Sequence, residues 1–445
     1  MEQYIVAIDP GTSKMTAMIA RKEVGGKISI LRTEQVDSEN CIKRGCIYNG
    51  DAAAEKAAYL INRLNEDYAM PKLSAPIKQV YVSIGGQSLH IEQHSIRKQV
   101  ETETIEQRLL TEIEDEIKQY KPELYEVLEI LPAEYYVDGQ LTDSPRGTTA
   151  SSVEARYRLI VVSSHNLKML IKKAIPEKIE IAGYIVAPLA TAAAVLDKKE
   201  KDLGCALVEF GAGVTYISIY KSGKLKYLVT IPLGSLVITK DIRCLNVSED
   251  EAENLKRKYG SAILNWEDVS KITLDEGLNT ERKIEVRNLN TIVEARTDEI
   301  LANVVHQINK SGYADSLASG IIITGGGATL QHLEDSFKNK VNKNLRLAYP
   351  TANGKSQSAE DSTIIGLLTL AKYGCVDASE KKTIRTPDTP DTLNTPDTPK
   401  IIKYPKPPKP RRFINRLNGL MNDLFDIEND NIENDNIKND NIENK

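Results

Sequence analysis

The sequence predicts an α/β protein of two related lobes followed by a non-globular C-terminal segment, on three observations. Short apolar strands alternate with amphipathic helical patterns up to about residue 375. Two stretches about 200 residues apart share one plan: AIDPGTSKMTAMIA at 7–20 and LVEFGAGVTYISIY at 207–220 each run through an apolar strand, an acid, a glycine turn and a second strand. The composition then breaks, with proline recurring from Thr386 to Pro410 too often for any packed element.

The strand-like segments, in order, are 4–9, 79–85, 156–162, 205–210, 215–220 and 320–326, and the helical ones include 51–66, 165–174, 250–259 and 291–309. A highly charged helix, EQRLLTEIEDEIKQY, lies between the second and third strands. The proline-rich run reads as an extended, semi-rigid linker, at about 3.1 Å per residue. On a wheel of about 100° per residue, Phe413, Ile414, Leu417, Leu420, Met421, Leu424 and Phe425 share an arc of roughly 140°. Three Lys and three Arg against one Asp give residues 403–425 a charge of +5, and Arg412 and Arg416 flank the apolar face. That is the pattern of an interfacial helix in anionic lipid, although a partner-binding helix has the same pattern. The last twenty residues repeat IENDN and are expected to be a disordered acidic tail.

Composition excludes some functions. At 445 residues the chain holds more than one domain, and its 27% charged and 41% hydrophobic residues are those of a globular protein. The formal net charge of −5 argues against a general nucleic-acid binder. The five cysteines show neither zinc nor CxxC spacing and read as reduced thiols. No leader pattern and no run of about 18 apolar residues is present, so a cytosolic body is expected. The five histidines form no nucleophile dyad or metal pair; His90 and His94 sit in a strand-like stretch where an i,i+4 spacing does not converge.

The glycine turns carry the chemistry. A tight glycine hairpin directs backbone N–H groups into open space, where they bind phosphate. An acid at the strand end suits hydrated Mg²⁺, which prefers oxygen ligands and keeps several waters. Thr12, Ser13 and Thr215 are placed to donate to phosphate oxygens, and a third turn, ITGGGATL at 323–330, would let a nucleotide approach the backbone. Singly each is an ordinary turn. Together, in this order, they resemble the phosphate-1, phosphate-2 and adenosine motifs of the actin/Hsp70/sugar-kinase superfamily.

Within that superfamily, IKRGCIYNGDAAAEKAAYLI, VYVSIGGQSLHI, AGYIVAPLATAAAVLD, IPLGSLVITKDIRCLNVSEDEAENLKRKYG and VRNLNTIVEARTDEIL resemble the FtsA family of bacterial division proteins, from about residue 4 to 375 and in the family's order. The resemblance implies an actin-like two-lobed ATPase fold: subdomain 1A at 1–78, an inserted subdomain 1C at 79–160, subdomain 2A at 161–234, 2B at 235–300, and 301–375 completing 2A and returning to 1A. The linker is then 376–410, the membrane helix 411–425 and the tail 426–445. It further implies ATP and Mg²⁺ held by Asp9, Gly11, Thr12, Ser13 and Lys14 in the first turn, and by Glu209, Gly211, Gly213 and Thr215 in the second. Gly325, Gly326 and Gly327 would sit against the adenosine, with Glu253 and Lys256 beside adenine and ribose; a solvated i,i+3 helix contact is the alternative for that pair. Asp9 and Glu209 would hold the metal through water.

Two departures bear on chemistry. Glu209 stands where the second turn usually has Asp, so its carboxylate should reach deeper. Ala187, aligned through Pro188, cannot orient an attacking water, so slow hydrolysis or none is expected. The implied partners are the FtsZ C-terminal peptide on 2B (with Arg243, Arg287 and Arg296 as candidate contacts), further copies of the chain in filaments, anionic membrane lipid at the cytoplasmic face of the inner membrane, and other division proteins. A kinase-type or pilus-assembly-type member of the same superfamily is the competing reading, but neither accounts for the C-terminal helix. The acidic tail, seven acids against two lysines, departs from the family's usual ending and is placed to mask the helix.

Overall fold

A computed structural model describes residues 3–23, 25–66, 76–163, 166–275 and 281–376. Of the expected linker only Val376 falls within them; the expected helix, including Arg412 to Phe425, the tail and His165 lie outside the described residues.

The first lobe begins as a hairpin of β1 (Gln3–Pro10) and β2 (Lys14–Lys22), extended by antiparallel β3 (Ile28–Asp37). Two-residue strands β4 (Ile42–Lys43) and β5 (Cys46–Ile47) form a small hairpin ahead of helix α1 (Gly50–Asn65). The Asn49 side chain caps α1 by accepting from the Ala52 N–H. Ala53, Ala57, Leu60, Ile61 and Leu64 recur at helical spacing and are buried. Strand β6 (Gln79–Ile84) then runs parallel beside β1.

An insertion leaves the lobe here. It comprises β7 (His90–Thr104), α2 (Gln107–Gln119), β8 (Glu126–Ile130), β9 (Glu134–Val137), β10 (Gln140–Thr142) and β11 (Thr149–Val162). The charged α2 is not solvated all round: Leu110, Ile113 and Ile117 pack with Ile96, Val153, Leu159 and others in a core of the insertion's own. The chain then returns through α3 (Leu167–Lys173) to β12 (Glu180–Val186), which pairs parallel with β6, and continues into α4 (Ala187–Val195) and α5 (Lys198–Leu203). The first sheet is thus β12-β6-β1-β2-β3.

The second lobe opens with a matching meander, β13 (Cys205–Phe210), β14 (Thr215–Lys221) and β15 (Lys224–Ile231). Helices α6 (Ser235–Ile242) and α7 (Glu249–Tyr259), the hairpin β16 (Lys271–Asp275) and β17 (Glu281–Glu285), and the long α8 (Val286–Lys310) follow. A capping box between Ser248 and Glu251 starts α7. Strand β18 (Ile321–Thr324) pairs parallel with β13, and α9 (Leu333–Lys338), β19 (Leu345–Leu347) and the short pair β20 (Thr351–Ala352) and β21 (Lys355–Ser356) follow. Finally α10 (Ser362–Leu370) packs on α4 and β1, back in the first lobe.

Two expected boundaries need correction. Residues 79–84 are a central strand of the first sheet, so the insertion starts after Ile84 rather than at 79. The second lobe starts at Cys205 rather than 161, because β12 and α4 return to the first sheet through a parallel pairing. A ten-stranded sheet runs from the second lobe into the insertion, joined at the single pair Val229 and His90.

Side-chain alternation decides what faces the first lobe. On β13 and β14, Ala206, Val208, Ile217 and Ile219 join the second lobe's core, while Cys205, Leu207, Tyr216 and Tyr220 join the first lobe's. Glu209 shares the parity of Cys205 and Leu207 and lies directly across from Tyr216.

Candidate functional site

The sequence repeat is also a repeat in space. Asp9 lies opposite Thr16 in the first hairpin, and Glu209 opposite Tyr216 in the second, at the same distance from the turn. A Cβ on Gly11 would come 2.6 Å from the Lys14 carbonyl oxygen, and one on Gly211 would come 2.8 Å from that of Val214, so both turns close equally tightly. The turns also meet: a Cβ on Gly213 would lie 2.5 Å from Thr12 Oγ1. Thr12 Oγ1 accepts from the Gly45 N–H at 2.9 Å, and Ser13 is exposed at the tip. Behind the second turn, the Ser235 and Leu236 N–H groups at the start of α6 donate to the Gly211 and Ala212 carbonyls.

The acids behind the turns differ in support. Asp9 Oδ1 accepts from the Ser83 hydroxyl. Burial raises its pKa, and the Ser83 hydrogen bond and the Lys14 charge oppose that rise. Glu209 Oε1 accepts from Thr363 Oγ1 at 2.8 Å, and Thr363 lies 3.0 Å from Thr191 Oγ1. The longer side chain therefore carries its carboxylate back between α4 and α10, as the extra methylene predicted. Among the described residues, Glu209 Oε2 is buried with no hydrogen-bond partner. Burial pushes the carboxyl up to about 7; the Thr191 and Thr363 hydroxyls hold it down, and the Asp9 charge adds to the rise. Asp361 Oδ1 is likewise buried without a partner among the described residues, and burial raises its pKa.

Several expected roles change. Thr215 is fully buried and donates to the Leu233 carbonyl at 2.8 Å, so it fastens the turn instead of pointing toward a phosphate. Lys14 is paired with Glu360 at 2.9 Å. Gly325 (φ +96°) and Gly327 are needed because Phe210 packs against them: a Cβ would come 2.6 Å from its carbonyl oxygen and 2.9 Å from its ring respectively. Only Gly326 is exposed, with the Glu360 Cβ 3.5 Å from where its own would be. Glu253 and Lys256 do form an i,i+3 pair at 2.7 Å, but it is not a solvated one. Lys256 is buried, and it also donates to Thr239 Oγ1 at 2.8 Å and to the Ser235 carbonyl at 3.1 Å, tying α7 to the first residue of α6. Ala187 opens α4, with its Cβ facing Gly85. Ser83, Thr191 and Tyr216 lie in the stretches quoted above, but nothing in their spacing assigns them to the acids, and Asp361 and Thr363 lie in none of those stretches.

The residues present fit a hydrated divalent cation. An orphaned carboxylate oxygen and two desolvated acids are what an added positive charge would relieve. Among the described residues no group of three or more His, Cys, Asp and Glu is placed to hold a metal ion.

Comparison with known proteins follows this geometry. The profile of cell division protein FtsA matches residues 206–366, and that of the SHS2 domain inserted in FtsA matches 86–161, the insertion. Cell division protein FtsA of Porphyromonas gingivalis is 31% identical over 388 residues, covering 85% of this chain and 80% of that protein. The chain belongs to the FtsA family. Cell division protein FtsA of Bacillus subtilis is 28% identical, with 83% of each chain covered, and that of Escherichia coli 24%, covering 83% of this chain and 90% of that one. Among solved structures, the PilM-PilN type IV pilus biogenesis complex aligns with a TM-score of 0.55 at 13% identity, over 82% of this chain and 97% of that one, a likeness of fold. The FtsA fold expected from sequence, actin-like with an inserted subdomain, is the one present, and the chain is a cell division protein.

Proposed function

We propose that this FtsA-family protein binds Mg²⁺–ATP between the two glycine turns, polymerises, and tethers FtsZ to the cytoplasmic face of the cell membrane at the division septum. The observation that supports the nucleotide reading is the pair of matching turns, Gly11–Lys14 and Gly211–Val214, in contact through Thr12 and Gly213, each with a desolvated acid behind it. Asp9 and Glu209 would hold the metal through water, the turn N–H groups the phosphates, and Gly326 the open side of the nucleoside. The magnesium ion supplies charge neutralisation of the phosphates when bound. With Ala187 in place of a water-orienting side chain, turnover is slow; a multiple-turnover rate like that of a metabolic kinase overturns that part.

For FtsZ, the candidate arginines are already engaged: Arg296 with Asp241 and Glu299, Arg243 with Glu249 at 3.8 Å, and Arg287 with Glu285 at 3.7 Å. A groove of about 480 Å³ at the edge of that subdomain, lined by its Lys258, Tyr259, Ile263 and Asn290 and by His332 beyond it, is the better seat for its peptide. Trp266, the chain's single tryptophan, and Val269 are exposed in the segment that lines it. No described helix is long and apolar enough to cross a membrane, which suits the amphipathic 411–425 segment as a peripheral anchor. Its reversible hold would be strengthened by polymerisation through avidity.

Co-pelleting with FtsZ on anionic liposomes tests the tether. Full-length protein should carry FtsZ into the pellet and a truncation at residue 408 should not; equal pelleting refutes the anchor. Removing residues 426–445 should increase lipid binding if the tail masks the helix, and equal binding refutes the masking.

A further inference from the structure

We propose that Tyr216 couples the second glycine turn to the seating of the inserted subdomain, through a pocket of glycines at the point where the chain leaves the first lobe. This rests on the reading of that turn as a nucleotide site.

Tyr216 follows the second turn by two residues and lies across from Glu209. Its strand parity sends the ring out of its own lobe and into the first. There the phenolic oxygen accepts from the Gly86 N–H at 2.9 Å. The surroundings are cut to that one oxygen: a Cβ on Gly85 would come within 2.4 Å of it, and one on Gly45 within 3.2 Å. Gly86 itself has φ +141°, a conformation L side chains rarely adopt. Gly85 and Gly45, from two separate segments, therefore make room for a side chain of the opposite lobe, and Gly86 supplies the N–H that it accepts from.

The place matters as much as the fit. Gly85 and Gly86 follow β6, whose Ser83 fixes Asp9, and precede β7, the first strand of the insertion. Gly45, on the other wall, donates to Thr12 of the first turn. The start of the insertion is also tied to the second lobe, since Thr230 Oγ1 donates to the Leu89 carbonyl at 2.8 Å, and further along Lys226 pairs with Glu134 of β9. Its two ends are held together where the Ser163 N–H donates to Ser88 Oγ at 3.0 Å. The insertion is covalently part of the first lobe but bonded to the second, and Tyr216 grips the pivot between them. A ligand that tightens the second turn must therefore act on Gly86, and through it on β7.

Amide hydrogen exchange on the full-length protein decides this, with Mg²⁺–ATP as the probe. Without nucleotide, Tyr216→Phe should raise exchange at Gly86 about tenfold, the factor that one hydrogen bond of ordinary net strength confers, while α1 amides stay unchanged. With Mg²⁺–ATP, the wild type should slow exchange from Gly86 into β7; Y216F should bind ATP within several-fold of wild type yet lose that slowing. Thr230→Val cuts the parallel tie and should keep the ATP response at Gly86, which a merely destabilised hinge would not. Unchanged Gly86 exchange in Y216F, or an equal ATP response in Y216F and wild type, overturns the proposal. Should the wild type bind no ATP, the nucleotide reading fails, and the nucleotide-free comparison still decides whether Tyr216 holds the pivot.

Discussion

Two glutamates with desolvated carboxyls divide the molecule, Glu134 buried and Glu209 half-buried with its Oε2 enclosed. Glu134, where the insertion meets the second lobe, faces Arg158 and Lys226, and its carboxyl is driven down to about 2 against the cost of burial. Glu209, where the second lobe meets the first, has the hydroxyls of Thr191 and Thr363 and the Asp9 charge beside it, its Oε2 has no hydrogen-bond partner among the described residues, and burial drives it up to about 7. One charge is balanced within the chain and fixes a seam. The other is unbalanced, at the position where a strand ends on a phosphate-type turn. A buried carboxylate without a cation is a standing cost to the fold, which is a physical reason to expect the cation from outside.

The largest test of this contrast is Glu134→Gln. It leaves Arg158 and Lys226 without their counter-charge, and urea denaturation should show a loss of about 3 kcal/mol or more. Next comes pH. The folded pKa of Glu209 is raised, so the nucleotide-free protein binds a proton there more tightly than the unfolded chain does. Its stabilisation is complete below the unfolded value of 4.5 and falls by about 3 kcal/mol as pH rises through 7; Glu209→Gln should remove that share of the slope in denaturation series and leave what Asp9 and Asp361 contribute. Glu134 runs the other way, with its folded pKa depressed: its contribution is present above 4.5 and lost as pH falls toward 2. If the slope between pH 4.5 and 7 is undiminished in E209Q, the contrast is broken.

Smaller effects sharpen it. Lys256→Met removes a buried ammonium but leaves Thr239 bonded to Glu253, and should cost about 1–2 kcal/mol, mainly by freeing the Ser235 carbonyl at the start of α6. Arg108→Ala breaks an exposed i,i+4 pair with Glu112 on α2 and should leave the denaturation midpoint where it is.

Six strands and both turns are legible in the sequence because their signals are local, whereas long strands such as β3, β7 and β15 carry too many polar residues to stand out. Residues 205–210 and 215–220 are read to within a residue, and the duplication of Asp9 and Glu209 is visible as spacing. What else the sequence concealed is non-local. That β12 and α4 return to the first sheet depends on a parallel pairing with β6, about a hundred residues away, which no periodicity encodes. Thr191 and Thr363 belong to Glu209 only because α4 and α10 pack together, and Tyr216 belongs to Gly86 only because alternation points it outward. The glycines at 325 and 327 have a structural reason that their motif does not show, since a Cβ at either would strike Phe210.

Under the proposed function, Glu209 and Asp9 complete their charge with a metal-bound nucleotide. Calorimetric titration of the full-length protein with ATP, with and without Mg²⁺, alongside Glu209→Gln, tests it most directly. The account predicts saturable binding that requires Mg²⁺ and weakens about tenfold or more in E209Q. Binding that is absent, or that is the same without Mg²⁺ and in the variant, would contradict it.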